Sequence, residues 1–130
     1  MNNMTFHCKL VLQNDEECAS VCDCLTTHVI NRVYHDRNGD PYTDQNRARV
    51  YVLSEFLSNY VEELADAGSE YSFRNQLTQE LILGALQEID FREIAEDLIR
   101  SYSPKSPEEI ADSEEFFNVM CFGNYDIDED

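Results

Sequence analysis

Leu53, Phe56, Leu57, Tyr60, Val61, Leu64 and Ala65 recur at three- and four-residue spacing, with no proline or glycine between them. Only an α-helix, at about 3.6 residues per turn, gathers such a set onto one face. The stripe predicts a helix that starts near Thr43 or Asp44, with Gly68 as its C-terminal cap. The pattern repeats along the chain. Cys18, Val21, Cys22, Leu25, Val29 and Val33 give an earlier helix, opened by an Asn14/Glu17 capping box and running to about Tyr34. Phe73, Leu77, Leu81, Ala85, Leu86 and Ile89 give a third. Behind Asp90 and Glu93, the residues Phe91, Ile94, Ala95, Leu98, Ile99 and Tyr102 give a fourth, and the spacing allows these two to be one long kinked helix. Ser106-Pro107-Glu108-Glu109 then starts a short fifth helix, ending near Asp112, with a cap, a first-turn proline and an acid three residues on.

Two segments leave this period. Met4, Phe6, Cys8, Leu10 and Leu12 alternate with Thr5, His7, Lys9, Val11 and Gln13, the period of a half-buried strand. Residues 116–122 are apolar and aromatic and supply a second strand to pair with residues 4–12. Residues 35–41, with Asn38, Gly39 and Pro41, are a turn-rich loop. The expected fold class is mainly α (α+β): four to five amphipathic helices with a small N-/C-terminal β-pair. A length of 130 residues suits a single compact acidic domain over 1–125, followed by a frayed acidic tail over 126–130.

Charge narrows the function classes. Residues 51–130 hold twenty acids against Arg74, Arg92, Arg100 and Lys105, so they supply −16 of the net −18. Such a field repels nucleic acid and acidic membranes and attracts surfaces built to grip phosphate. With 42% apolar residues the chain does not have the composition of a disordered polyanion. The first five residues have neither the basic nor the apolar region of a signal peptide, and no run reaches the length of a membrane span. Five cysteines, an odd number, fit free thiols in a reducing cytoplasm.

Motifs for chemistry fail on geometry. Cys18, Cys22, Cys24 and His28 form C-x3-C-x-C-x3-H, but Cys24 and His28 lie about 200° around a helix from Cys22. Four ligands so placed cannot close a tetrahedron on zinc. Asp36-Arg37-Asn38-Gly39-Asp40 lacks the glycine and glutamate positions of an EF-hand, with Pro41 sixth and Arg47 twelfth. His35-Asp36 is only a dipeptide, and no phosphate-cradling or zinc-protease motif is present. No enzyme, cofactor or metal is expected.

The acids are better ordered. Glu55, Asn59, Glu62 and Asp66 fall at i, i+4, i+7 and i+11, opposite the Leu53–Leu64 stripe, with Glu63 beside them and Glu70 beyond. Glu93, Glu96 and Asp97 repeat the arrangement opposite Ile94, Leu98 and Ile99, with Glu96–Arg100 an i, i+4 exception to the lack of compensating cations. These eight carboxylates are the expected partner-binding set. Tyr42, Tyr71, Tyr102 and Tyr125 lie outside the stripes, where they could anchor an interface or cover the core edge. Arg32, Arg37, Arg47 and Arg49 make a less negative pole, which either neutralises Asp36, Asp40 and Asp44 or mediates self-contact as a homodimer.

In charge and size the chain resembles the small acidic proteins that phages and mobile elements use against host defence: DNA mimics, anti-restriction and anti-CRISPR proteins. Residues 85–99 (ALQEIDFREIAEDLI) are also similar to helical segments of small phage accessory proteins. The resemblance is one of class and transfers no functional residue. It implies a non-enzymatic inhibitor acting in the host cytoplasm on a basic nucleic-acid-binding protein, whether CRISPR effector, restriction enzyme or regulator, with no direct contact to nucleic acid or membrane. The alternatives are an acidic helical adaptor that uses apolar and tyrosine contacts, and a small Cys/His metal-binding protein.

Overall fold

The computed structural model describes residues 1–72 and 76–120, leaving aside the side chains of 66–79. Six helices occupy the described residues: α1 (Asn3–Asn14), α2 (Glu16–Ile30), α3 (Gln45–Ser72), α4 (Gln76–Gln87), α5 (Phe91–Arg100) and α6 (Pro107–Val119). Local polar chemistry opens them. The Asn2 side chain accepts from Thr5 N, Asp15 from Cys18 N, and Asp90 from both Arg92 N and Glu93 N. Ser106 and Glu109 close a reciprocal capping box on α6.

α2 is the centre, packing against α1, α3, α5 and α6, while α5 lies along α3 and α4 contacts α3. One core joins them: Leu25 and Val29 of α2, Leu53 and Leu57 of α3, Ile94 and Ala95 of α5 and Phe117 of α6 are all buried. The stripes that predicted α2, α3 and α5 supply most of it.

The expected β-pair does not form among the described residues. Residues 4–12 are helical, and the register explains why. Buried Thr5 and Leu12, with half-buried Cys8 and Lys9 between them, follow helical spacing, whereas Phe6 and Leu10 of the alternating set are 49% and 37% exposed. The proposed second strand is also helix up to Val119, since α6 continues past Asp112 to bury Phe117; residues 121–122 lie outside the described residues. Other boundaries move by less. α2 is capped by Asp15 instead of Asn14 and stops at Ile30, and α3 runs through Gly68 to Ser72. α4 and α5 are separate helices on either side of residues 88–90. The tail over 126–130 is outside the described residues.

The turn-rich loop between α2 and α3 is closed by side chains. Gln45 accepts from Tyr34 N at 2.9 Å and donates to the carbonyls of Tyr34 and Tyr42 at 2.8 and 2.9 Å. Asp36 Oδ1 accepts from Asn38 N and Asp40 N, and Gly39 takes a φ of 84°, a left-handed conformation that glycine adopts without a Cβ clash. Tyr34 is thereby held in the core although it lies beyond the end of α2.

Candidate functional site

The eight predicted carboxylates divide into two groups. On α3, Glu55, Glu62 and Glu63 are exposed, opposite the buried stripe that fixes the helix. Glu62 accepts a long bond from Ser58 at 3.5 Å, and Glu55 has no cation partner among the described residues. The side chains of Asp66 and Glu70 are outside the described residues. Glu96 on α5 is exposed and also unpaired there.

Glu93 and Asp97 are built into the fold. Lys9 of α1 donates to Asp97 Oδ2 at 2.7 Å, and Arg100 to its Oδ1 at 3.1 Å, so the arginine expected on Glu96 turns to Asp97. The Lys9 hydrogen bond is the main reason that the Asp97 carboxyl lies below its ordinary pKa. Glu93 is 3.7 Å from the terminal ammonium of Met1. Asp97 fastens α1 onto α5, and Glu93 meets the residues that lead into α1.

The cysteine–histidine set divides as the helix geometry requires. Cys18 and Cys22 face the core, where the Tyr60 hydroxyl donates to Cys18 Sγ at 3.6 Å. Cys24 and His28 face α6: Cys24 Sγ donates to Ser113 O at 3.1 Å, and His28 Nδ1 is 2.9 Å from both Glu114 oxygens. Burial pushes the Cys8 thiol up to about 11 and the Cys22 thiol to about 12, far from the thiolate needed for attack or metal binding. Among the described residues no three His, Cys, Asp or Glu side chains are grouped to hold a metal.

Sequence reasoning missed two features. His28 stacks on Phe117 with ring centroids 3.7 Å apart and planes within 6°, and Phe56 meets Phe117 edge-on at 5.5 Å. Its only sequence signal was the helical offset from Cys22. The second is a groove of ≈ 890 Å³ between the first turns of α3, the α2–α3 loop and the start of α5, lined by Tyr34, Tyr42, Tyr51, Arg47 and Arg92 among others. The i, i+4 pair Arg47/Tyr51 was legible, but nothing local announces its meeting with Arg92. Of the other tyrosines outside the stripes, Tyr102 is half-buried; the side chain of Tyr71 and all of Tyr125 lie outside the described residues.

Further acids stand exposed on α6: Glu108, Glu109, Asp112 and Glu115. The described residues thus make an all-helical domain with carboxylates on the outer faces of α3, α5 and α6. No protein-family model, curated protein or solved structure matches the chain. No described helix is long and apolar enough to cross a membrane.

Proposed function

We propose that the chain is a non-catalytic inhibitor that presents acidic helix faces to the basic, phosphate-gripping groove of a nucleic-acid-binding protein, of the CRISPR-effector, restriction-enzyme or regulator kind. The observation that carries this reading is the exposure of Glu55, Glu62 and Glu96 on well-packed helices with no cation partner among the described residues. From Glu55 to Glu62 the helix rises about 10 Å, close to three base steps of duplex DNA at ~3.4 Å each. A rigid rod pays little ordering entropy when it docks, so its charges are preorganised for a basic groove.

The test is capture of host proteins on the immobilised chain, eluted with a salt gradient, alongside a Glu55→Lys/Glu62→Lys/Glu96→Lys variant. Binding should weaken at least tenfold in the variant and fall steeply with salt. Asp97 and Glu93 are unsuitable for reversal, because Asp97 pairs with Lys9 of α1 and Glu93 lies against the Met1 ammonium. Equal capture by the triple variant would remove the reading.

One observation favours a second reading. Leu81 and Leu83 of α4 are 65% and 57% exposed, and Leu64 of α3 is exposed as well. An adaptor that binds through such leucines would show weak salt dependence and would lose its partner on Leu81→Glu/Leu83→Glu substitution instead.

A further inference from the structure

The sequence holds 27 acids and only 9 basic residues, so the placement of each cation matters. Lys9, Arg100 and Lys105 hold a carboxylate at 2.7, 3.1 and 3.1 Å. Arg32, Arg47, Arg49 and Arg92 hold none among the described residues, and of these Arg47 and Arg92 line the groove beside α3. Asp44 and Asp90, three and two residues before them, are engaged by helix ends. Asp44 Oδ1 accepts from Arg47 N at 3.1 Å, and Asp90 Oδ1 accepts from Arg92 N at 3.1 Å and Glu93 N at 3.2 Å. Two arginines therefore border one concavity on a molecule of net negative charge, at the starts of two helices whose dipoles add positive potential.

The rest of the lining is mostly aromatic and apolar, with Thr43, Ser54 and Asp44 as its polar members; one oxygen of Asp44 is taken by the Arg47 amide. Tyr34 and Val52 are buried, Tyr42 is half-buried, and Tyr51 is held 46% exposed on α3. A volume of ≈ 890 Å³ lies within the range of small-molecule sites, roughly 300–1,000 Å³. Tyrosine rings offer stacking surface, while arginine offers a planar fork that matches a phosphate or carboxylate.

We propose that this groove is a binding site for a planar aromatic anion, its ring against the tyrosine wall and its phosphate or carboxylate between Arg47 and Arg92. The site has the opposite charge from the acidic faces and stands or falls independently of them. A neutral ring would forgo the guanidinium contacts, and a bare anion would forgo the stacking while still meeting the repulsion of the whole molecule.

The test is titration of the full chain with adenosine 5′-monophosphate and with 2-naphthoate, followed by amide NMR shifts and calorimetry, with adenosine and inorganic phosphate as halves of the first probe. Saturable shifts at Arg47, Tyr51 and Arg92 are expected with at least one of the two aromatic anions. Binding of the nucleotide alone would assign the anion as phosphate, binding of the naphthoate alone as carboxylate. Adenosine and phosphate should each bind at least tenfold more weakly than the nucleotide. Arg47→Gln/Arg92→Gln should weaken the bound probe at least tenfold without moving Tm, both side chains being exposed. If that variant loses stability, Tyr51→Ala supplies the same decision. No saturable binding of either aromatic anion at millimolar concentration would overturn the proposal. So would undiminished binding in the variant, or inorganic phosphate binding as tightly as the nucleotide.

Discussion

Burial of His28 between Phe117 and Glu114 sets a pH window for stability. Burial is the largest influence and lowers the imidazole pKa below its ordinary value; Arg32 acts in the same direction, and Glu114 opposes both. A lowered pKa means that the unfolded chain binds the proton first as pH falls. The stabilising contribution is then whole above the ordinary value of about 6.5 and is lost as pH falls through the folded value, by at most about 1.4 kcal/mol per pH unit. Urea midpoints at pH 7.5 and 5.5 should differ by less in His28→Gln than in the parent chain, a comparison that cancels the shared carboxylate background. The thiols give a second check at this scale. With Cys22 pushed up to about 12, a thiol reagent at pH 8 should label it at least a hundredfold more slowly in the native protein than in the unfolded one. Labelling at the unfolded rate would mean that Cys22 is open to solvent in the native protein.

At the scale of elements, α1 shows how tertiary bonds override a local pattern. Thr5 is fully buried; its hydroxyl accepts from Asp90 N at 2.8 Å and donates to Glu88 O at 3.5 Å, while Asn2 Nδ2 donates to Glu88 O at 2.8 Å. These bonds lock the start of α1 onto the α4–α5 turn. Thr5→Val keeps the shape but leaves the Asp90 amide without its acceptor, and should cost about 1 kcal/mol by chemical denaturation. Ser106→Ala removes half of the α6 capping box and should cost about 1 kcal/mol. The two differ in legibility for a physical reason. The Ser106 cap and the α2, α3 and α5 stripes are decided by residues within a few positions, so they can be read from the sequence. The buried side of α1 contains Thr5 and Lys9, whose partners Asp90 and Asp97 are more than eighty residues away. Without those partners the period-two set looks like a strand. The same separation hid the roles of Glu93 and Asp97, while Glu55, Glu62, Glu63 and Glu96 were placed outward by helical phase alone.

For the whole molecule, the net charge of −18 is a cost carried by the fold. The screening length shrinks from about 30 Å at 0.01 M salt to about 8 Å at 0.15 M, so added salt removes repulsion between helices before it weakens short contacts. Lys9–Asp97 at 2.7 Å and Lys105–Asp23 at 3.1 Å are such contacts. Tm should therefore rise by several degrees as sodium chloride increases from 10 to 500 mM, a chain of this size shifting roughly 2–8 °C per kcal/mol. Glu55→Lys/Glu62→Lys/Glu96→Lys replaces one negative charge by one positive charge at each site and breaks no ion pair among the described residues, so its Tm should start at least as high and rise less. That result would separate the two effects of these carboxylates: the variant gains stability and, on the function proposed above, loses its salt-sensitive partner. A Tm indifferent to salt in both proteins would show that the acids cost the fold nothing. Selection for a binding role would then no longer be needed to explain their number, and the charge would point to no partner.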